Sequence, residues 1–217
     1  GIGGNNYYKN CYVDLKETCL RSETTVKVFD QMRKLQGFTD EGSPGRDWNV
    51  ATGMVIEGKA GFQIMGDWAK GEFTAAGKVP GVDYYCAATP SNNGYLYNVD
   101  SFIFYKTSDP DKQEGQKLLA KLMMGKNFQK VFNLYKGSIP ARLDVPMDEF
   151  DKCAKTSNSD IKTAGASGGL VPSFAHGMAQ GNTMKAALQD IITEHFNSDM
   201  SSVDAANALA DSVLANM

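Results

Sequence analysis

The amino-acid sequence predicts an α/β fold that is rich in helices. Several long segments repeat apolar residues at helical spacing, which is typical of amphipathic helices. A few shorter runs carry the β-branched and aromatic residues that favour strands. Helices outnumber strands so strongly that these 217 residues cannot supply a complete doubly wound sheet. We therefore expect part of the fold to lie outside this chain.

The first helices are marked by their capping residues. Ser22 opens a segment that Gly37 closes, and Asp47 is placed to cap a second helix that ends at Gly58. The apolar residues of the first segment recur at helical spacing: Val26, Phe29, Met32, Leu35 and Phe38. These signals predict two helices before residue 60.

Three runs are predicted to be strands. They cover residues 60–65 (AGFQIM), 82–88 (VDYYCAA) and 95–106, which contains NVDSFIFYK. A turn around Pro80 precedes the second run, and a polar turn at 90–94 follows it. All three runs are apolar enough to be buried in a sheet.

Trp68 follows the first predicted strand, just after Gly66, at the opening of a new helix. An indole at such a strand-to-helix turn lies beside exposed backbone N–H groups and can stack on a flat, hydroxyl-rich ligand. The alternative is a core tryptophan that caps the strand. Pattern alone leaves both interpretations open. Asp67 is expected to be the N-cap of the new helix.

Asp100 interrupts the third predicted strand. A carboxylate inside a buried strand needs hydrogen-bond donors, because leaving it unpaired costs free energy. It is therefore expected either to bond nearby backbone or to face a ligand.

The rest of the chain is predicted to be mostly helical. Two amphipathic helices cover residues 108–125 and 126–137, and the first is capped by Ser108 or Asp109. Helical segments continue from Asp148, and the last one carries a stripe of alanine and leucine that should pack on the body of the protein.

The charge balance argues against two classes of partner. Lys and Arg number 22 against 25 Asp and Glu, so there is no basic field to attract nucleic acid. No run approaches the roughly 18 to 20 apolar residues that span a bilayer. The opening GIGGNNYYKN has neither the basic nor the apolar region of an export signal. Either the protein is cytosolic, or its export signal lies outside this sequence.

The four cysteines favour export. Cys86 follows a strand-like run, Cys153 lies in a helical stretch, and Cys11 and Cys19 flank a short loop. None has the spacing of a zinc site or a redox dithiol. Of the three possible pairings we favour Cys86 with Cys153 and Cys11 with Cys19. The alternative is four buried thiols in a reducing compartment.

The sequence lacks the motifs of common enzymes. It shows no nucleophile elbow, no metal-spaced histidine pair and no phosphate-binding loop, so we expect no catalysis, no cofactor and no metal. One enzymatic alternative is a carbohydrate-active hydrolase that uses Asp100 with Asp67 or Glu72 as acid and base. Another alternative is an interaction scaffold that has lost ligand binding.

Four motifs carry a resemblance to a known family: VIEGKAGFQIMGDWAKGEF, NVDSFIFYK, FNLYKGSIPARLDVP and LVPSFAHGMA. In order and spacing they resemble the C-terminal half of bacterial extracellular solute-binding proteins, specifically the glucose/mannose-type receptors of ABC importers. The resemblance implies a periplasmic-binding-protein-like (type II) bilobal fold, of which this chain is the C-terminal portion. It also implies a hexose ligand, a periplasmic location and an ABC transporter permease as partner.

The resemblance further implies which residues bind the sugar. Trp68 would lie against a sugar face, and Trp48 would support it or close the pocket. Asp100, with Asn98 as a weaker candidate, would accept hydrogen bonds from hydroxyls. Two residues would donate hydrogen bonds: Lys136 and His176.

By the same resemblance, residues 1–97 and 138–217 belong to the C-terminal lobe. Residues 98–137 would pack on the N-terminal lobe, which is a missing N-terminal half or a second chain that completes the cleft.

Overall fold

The computed structural model describes residues 1–90 and 94–217, so the predicted turn at 90–94 lies largely outside the described residues. The chain forms two compact units. The terminal unit comprises Gly1–Gly45, Thr89–Asn98 and Ile161–Met217, and the central unit comprises Arg46–Ala88 and Val99–Asp160. The assignment of 1–97, 98–137 and 138–217 to lobes stays a prediction.

Helices build most of the terminal unit. Helix α1 (Gly4–Tyr8) continues as a π-helical turn, and the other helices of this unit are α2 (Glu17–Leu20), α3 (Glu23–Gln36), α9 (Asn182–Asn197) and α10 (Ser202–Asn216). The core holds Phe29 from α3 and Leu188 from α9, both almost fully buried. The buried residues of α10 recur along one face: Ala205, Ala206, Leu209, Ala210 and Val213. The predicted packing of this alanine and leucine stripe is confirmed.

The side chains of Ser22 and Asp109 cap helices as predicted, whereas the side chain of Asp47 does not. The Ser22 hydroxyl accepts a hydrogen bond from the Thr25 N–H at the start of α3. Asp109, not Ser108, caps α6 (Pro110–Met123) by accepting hydrogen bonds from two backbone N–H groups of its first turn. Asp47 occupies the N-cap of α4 (Trp48–Ile56), but among the described residues its side chain accepts no capping hydrogen bond.

One histidine is buried in the core of the terminal unit. His195 of α9 is fully buried, packs on Phe29 with ring centroids 4.7 Å apart, and its Nδ1 has no hydrogen-bond partner among the described residues. Burial lowers the pKa of His195, and the positive charge of Arg33 lowers it further, while Asp30 opposes them. The imidazole is thus held in its neutral form.

We expect the free energy of unfolding to decrease as the pH falls from 7 to 5.5. The unfolded chain, with a histidine pKa of about 6.5, takes up the proton before the folded chain does. The contribution of neutral His195 to the free energy of unfolding is therefore fully present above about pH 6.5. It decreases by at most about 1.4 kcal/mol per pH unit as the pH falls toward the pKa of the folded chain. Urea denaturation at each pH measures this loss.

The variant His195→Gln should remove the pH dependence, whereas the exposed His176→Gln should retain it. A wild-type stability that stays level over this range would contradict the prediction.

Two short strands pair in parallel in the terminal unit. Strand β1 (Tyr95–Tyr97) lies beside β2 (Leu170–Pro172) with Leu96 opposite Val171. They are the only strands among the described residues. The prediction of a strand at 95–106 is therefore right for its first three residues alone.

The other predicted strands are wrong. Residues 60–65 and 98–106 are irregular, and residues 82–88 contribute one isolated bridge, from Tyr84 to Pro80. Their apolar side chains are exposed rather than buried, with Phe62 96% and Ile103 76% exposed. Strand propensity takes effect only where a neighbouring strand offers hydrogen bonds and a packing surface, and the described residues provide none for these runs.

The central unit is held by helices and one buried ion pair. Besides α4 and α6 it contains α5 (Lys70–Ala75), α7 (Lys126–Lys136) and the first part of α8 (Lys152–Ala166). A small core forms around Val145, Phe150 and Ala154. Lys70 is buried and its Nζ lies 2.7 Å from a carboxylate oxygen of Asp151. This pair fastens α5 to the start of α8.

Both favoured disulfides are present. Cys11 is bonded to Cys19 in the terminal unit, and Cys86 is bonded to Cys153 in the central unit. Among the described residues none of the helices combines the length and apolar character needed to cross a bilayer.

Candidate functional site

Trp68 lies in a single 3-10 turn, Asp67–Ala69, that leads directly into α5. The indole folds back over the preceding residue, so that a Cβ atom added to Gly66 would overlap its ring. Glycine at position 66 is therefore required for this placement. The Trp68 side chain is half-buried and keeps part of its surface exposed to solvent.

Asp67 does not cap this turn, so the N-cap prediction is wrong; Gly66 holds that position. The Asp67 carboxylate instead accepts hydrogen bonds from the Ser138 hydroxyl and the Ile139 N–H. Burial raises the pKa of Asp67, against the opposing effect of two nearby ammonium groups, Lys70 and Lys136. The residue before Trp68 is thus tied to the loop after α7, a contact that sequence reasoning missed.

Two glycines allow the backbones of α5 and α7 to come into direct contact. A Cβ atom at Gly71 would lie 2.8 Å from the carbonyl oxygen of Lys136, and one at Gly137 would lie 2.6 Å from the Gly71 nitrogen. Gly137 also ends α7 in the left-handed conformation, with φ of 86°. This contact places Lys136, the last residue of α7, against α5, the helix that directly follows the Trp68 turn.

Asp100 and Lys136 form an ion pair between residues 36 positions apart. The Lys136 Nζ also lies 5.8 Å from the centroid of the Phe132 ring. Asp100 is exposed, so the expectation of a buried carboxylate is wrong for this residue. An exposed pair adds little stability. Its chemical value is that it sets a strong acceptor next to a strong donor, which suits neighbouring hydroxyl groups.

Trp48 begins α4 in the same unit and is 40% exposed. Its carbonyl oxygen accepts hydrogen bonds from the Thr52 hydroxyl and the Gln63 amide, each at 2.9 Å. Thr52 is bonded to Gln63 as well, at 2.8 Å. These bonds fix the start of α4 against the segment that leads to Trp68. The central unit contains Trp48 and Trp68 together with the Asp100–Lys136 pair, whose lysine lies against α5.

The other two predicted residues lie in the terminal unit. Asn98 directly follows β1, and His176 lies in the turn that follows β2. Because β1 and β2 are parallel, their carboxyl ends share one edge, and ligands of open α/β sheets bind at such edges. His176 is exposed, and its Nδ1 lies 2.7 Å from the buried Ser173 hydroxyl.

No group of three or more side chains that could hold a metal ion occurs among the described residues. In the central unit the candidate residues are an indole and a carboxylate–ammonium pair: Trp68, Asp100 and Lys136. In the terminal unit they are an amide and an imidazole: Asn98 and His176. Such groups hold a hydroxyl-rich molecule by stacking and hydrogen bonding.

Comparison with known proteins shows one consistent similarity. Residues 9–193 match a sequence model of the family described as bacterial extracellular solute-binding protein. A probable sugar-binding periplasmic protein of Brucella suis biovar 1 is 45% identical over 211 residues, which cover 97% of this chain and 50% of the relative. A protein of the same description from Rhizobium meliloti is 43% identical over 211 residues, covering 97% and 51%.

A more distant relative is an uncharacterized ABC transporter extracellular-binding protein of Pyrococcus horikoshii. It is 31% identical over 194 residues, which cover 89% of this chain and 42% of the relative. The chain spans about half the length of the curated relatives it matches.

Proposed function

Because the chain belongs to the bacterial extracellular solute-binding protein family, we propose that it is part of a non-catalytic sugar receptor. The receptor binds a hexose of the glucose/mannose type in the periplasm and delivers it to the permease of an ABC transporter. The names of the relatives support the sugar and the transporter. Closure on the sugar would shift an equilibrium between open and closed forms.

One observation carries the choice of a sugar. Within a single compact unit, the Lys136 end of the Asp100–Lys136 pair lies against α5, the helix that directly follows the Trp68 turn. A hexose presents vicinal hydroxyls that both accept and donate hydrogen bonds, and C–H faces that pack on an indole. An acceptor, a donor and an indole in one compact unit match both features of such a ligand.

The apolar surface of residues 98–137 supports the proposal of a second lobe. Phe102 is 61% exposed, and its ring lies 6.4 Å from that of Phe132. Leu122 and Tyr135 are exposed on the neighbouring helices α6 and α7. An exposed apolar surface of this kind marks an interaction site. We propose that it packs on the N-terminal lobe of the receptor, which the relatives' greater length can supply.

We expect Asp100→Asn to weaken hexose binding by about 10- to 150-fold, which corresponds to hydrogen bonds to a charged group of about 1.5–3 kcal/mol. Trp68→Ala should weaken it by about 5-fold or more, because stacking contributes about 1 kcal/mol beyond the buried area. Titration calorimetry with glucose and mannose, on the longest form of the protein that carries these residues, measures both. Full affinity in Asp100→Asn would contradict the proposed site.

Two variants of the central unit serve as controls. Asp148→Asn removes another exposed carboxylate, and Tyr85→Ala removes an aromatic ring that is 84% exposed. Neither is expected to change the affinity.

The same preparation tests the alternatives. Asp67, the proposed partner of Asp100 in a hydrolase, has the raised pKa of a general acid, but its carboxylate is bonded to Ser138 and Ile139. We expect no turnover of p-nitrophenyl hexosides. Turnover that Asp67→Asn abolishes would favour the hydrolase, and a complete absence of sugar binding would favour the scaffold.

A further inference from the structure

We propose that Ser173 is a positioning residue that orients the His176 imidazole for the ligand, and that Tyr8 holds Ser173 in place. This inference rests on the proposed function, in which His176 contacts the sugar. The motif LVPSFAHGMA, which singled out His176, contains Ser173 but gave no role to it or to Tyr8.

The His176 turn is closed by short hydrogen bonds of its own. Ser173 is the first residue after β2 and is only 2% exposed, and its hydroxyl lies 2.7 Å from Nδ1 of His176. The Gly177 N–H donates to the Phe174 carbonyl at 3.0 Å, and the Met178 N–H donates to the Ser173 carbonyl at 2.9 Å. The imidazole is exposed, whereas the group that holds it is buried.

Tyr8 fixes the backbone on both sides of Ser173. Its hydroxyl donates to the Pro172 carbonyl at 2.9 Å and accepts from the Phe174 N–H at 2.8 Å. The Ser173 N–H itself donates to the Tyr97 carbonyl of the neighbouring strand at 2.9 Å. Ser173 is therefore held by β1 on one side and by a helix more than 160 residues earlier in the chain on the other.

Histidine needs such a partner to act as a specific contact. An imidazole carries its proton on either ring nitrogen, and a hydrogen-bond partner at one nitrogen fixes the ring plane. A serine hydroxyl can donate or accept, so it can hold Nδ1 in one direction whichever tautomer is present. Buried partners of this kind keep functional side chains in the orientation that binding requires.

Without Ser173 the imidazole would have to be ordered when the ligand binds. Ordering one mobile side chain lowers affinity by about 2- to 10-fold. We expect Ser173→Ala to bind hexose more weakly by this factor. Ser173→Thr should retain near wild-type affinity, because the hydroxyl is kept. Tyr8→Phe should show a smaller loss. Ser167→Ala serves as the matched control, because within the described part of the chain the Ser167 hydroxyl donates to two carbonyls of its own helix turn, those of Thr163 and Ala164.

The decisive measurement is a double-mutant cycle in the longest form of the protein that carries this chain. Hexose affinity is measured by calorimetry for Ser173→Ala, His176→Ala and the double variant. If Ser173 acts through His176, the serine change has no further effect once the imidazole is gone. Additive losses would overturn the positioning role.

A second measurement needs no sugar. The ¹⁵N resonances of the His176 imidazole, assigned with His176→Gln, should shift in Ser173→Ala and should be restored in Ser173→Thr. Unchanged resonances would overturn the inference alone. Affinity that His176→Ala leaves at the wild-type level would instead contradict the proposed role of His176 in sugar binding.

Discussion

Gly137→Ala is expected to destabilise the central unit by about 2–5 kcal/mol, because it adds left-handed backbone strain to a steric clash. Gly137 has φ of 86°, and a Cβ atom there would lie 2.6 Å from the Gly71 nitrogen and 3.0 Å from the Lys70 carbonyl carbon. Backbone atoms cannot move aside as side chains do, so α5 and α7 must separate. Chemical denaturation measures the loss.

Gly77→Ala separates the two causes. Gly77 lies in the same unit and has φ of 68°, but an added Cβ atom would meet nothing within 4 Å. Gly77→Ala should therefore lose only the free energy that corresponds to left-handed backbone strain, about 1–2 kcal/mol. Equal losses in the two variants would mean that the close approach of α5 and α7 contributes nothing. Because Lys136 ends α7, Gly137→Ala should also weaken hexose binding, which Gly77→Ala should not.

Removing the disulfide Cys86–Cys153 with paired alanine substitutions is expected to cost about 4 kcal/mol, on the chain-entropy estimate for a closed loop. The loop spans 67 residues. The bond joins a segment without regular structure to the start of α8, two residues from the Asp151 that pairs with buried Lys70. Its loss should therefore loosen that ion pair as well. Urea denaturation under non-reducing conditions gives the change.

The second disulfide provides the comparison. Cys11 and Cys19 are only 8 positions apart, for which the same estimate gives about 2.5 kcal/mol. The variant lacking Cys86–Cys153 should consequently be the less stable of the two. A larger loss in the Cys11–Cys19 variant would show that burial of Cys11, which is fully enclosed, outweighs the loop-length effect.

The sequence predicted the features that depend on neighbours along the chain. The capped start of α3 at Ser22 and the apolar stripe of α10 were found as expected, and the cap of α6 is Asp109, one of the two residues predicted for it. Each depends on residues within a few positions of one another, so a linear pattern contains the full signal. The preferred cysteine pairing was also correct.

Strands could not be predicted in the same way. Residues 60–65 have the composition of a strand and remain unpaired among the described residues, while β2 was missed because Leu170–Pro172 is short and pairs with residues about 75 positions away. A strand forms only when a second segment pairs with it, and the residues of one segment do not show which other segment that is.

In the candidate site, too, local motifs were predicted from the sequence and long-range contacts were not. The resemblance supplied Trp68, Asp100, Lys136 and His176, whose roles stay predictions. It did not assign the role of holding these side chains to Asp67 or Ser173, although both lie within the quoted motifs. Asp67 reaches Ser138 and Ile139 across some 70 positions, and such long-range hydrogen bonds have no signature in a linear pattern.

The discontinuous make-up of the terminal unit has a consequence for biosynthesis. Phe29 of α3 shares its core with Leu188 and Leu209, which the ribosome adds about 160 and 180 residues later. The first three helices therefore emerge without the surface that buries them and must wait, unfolded or chaperone-bound, until α9 and α10 are complete. A nascent chain that pauses before residue 182 should be a good substrate for proteases, and one that has passed the end of α10 should resist them.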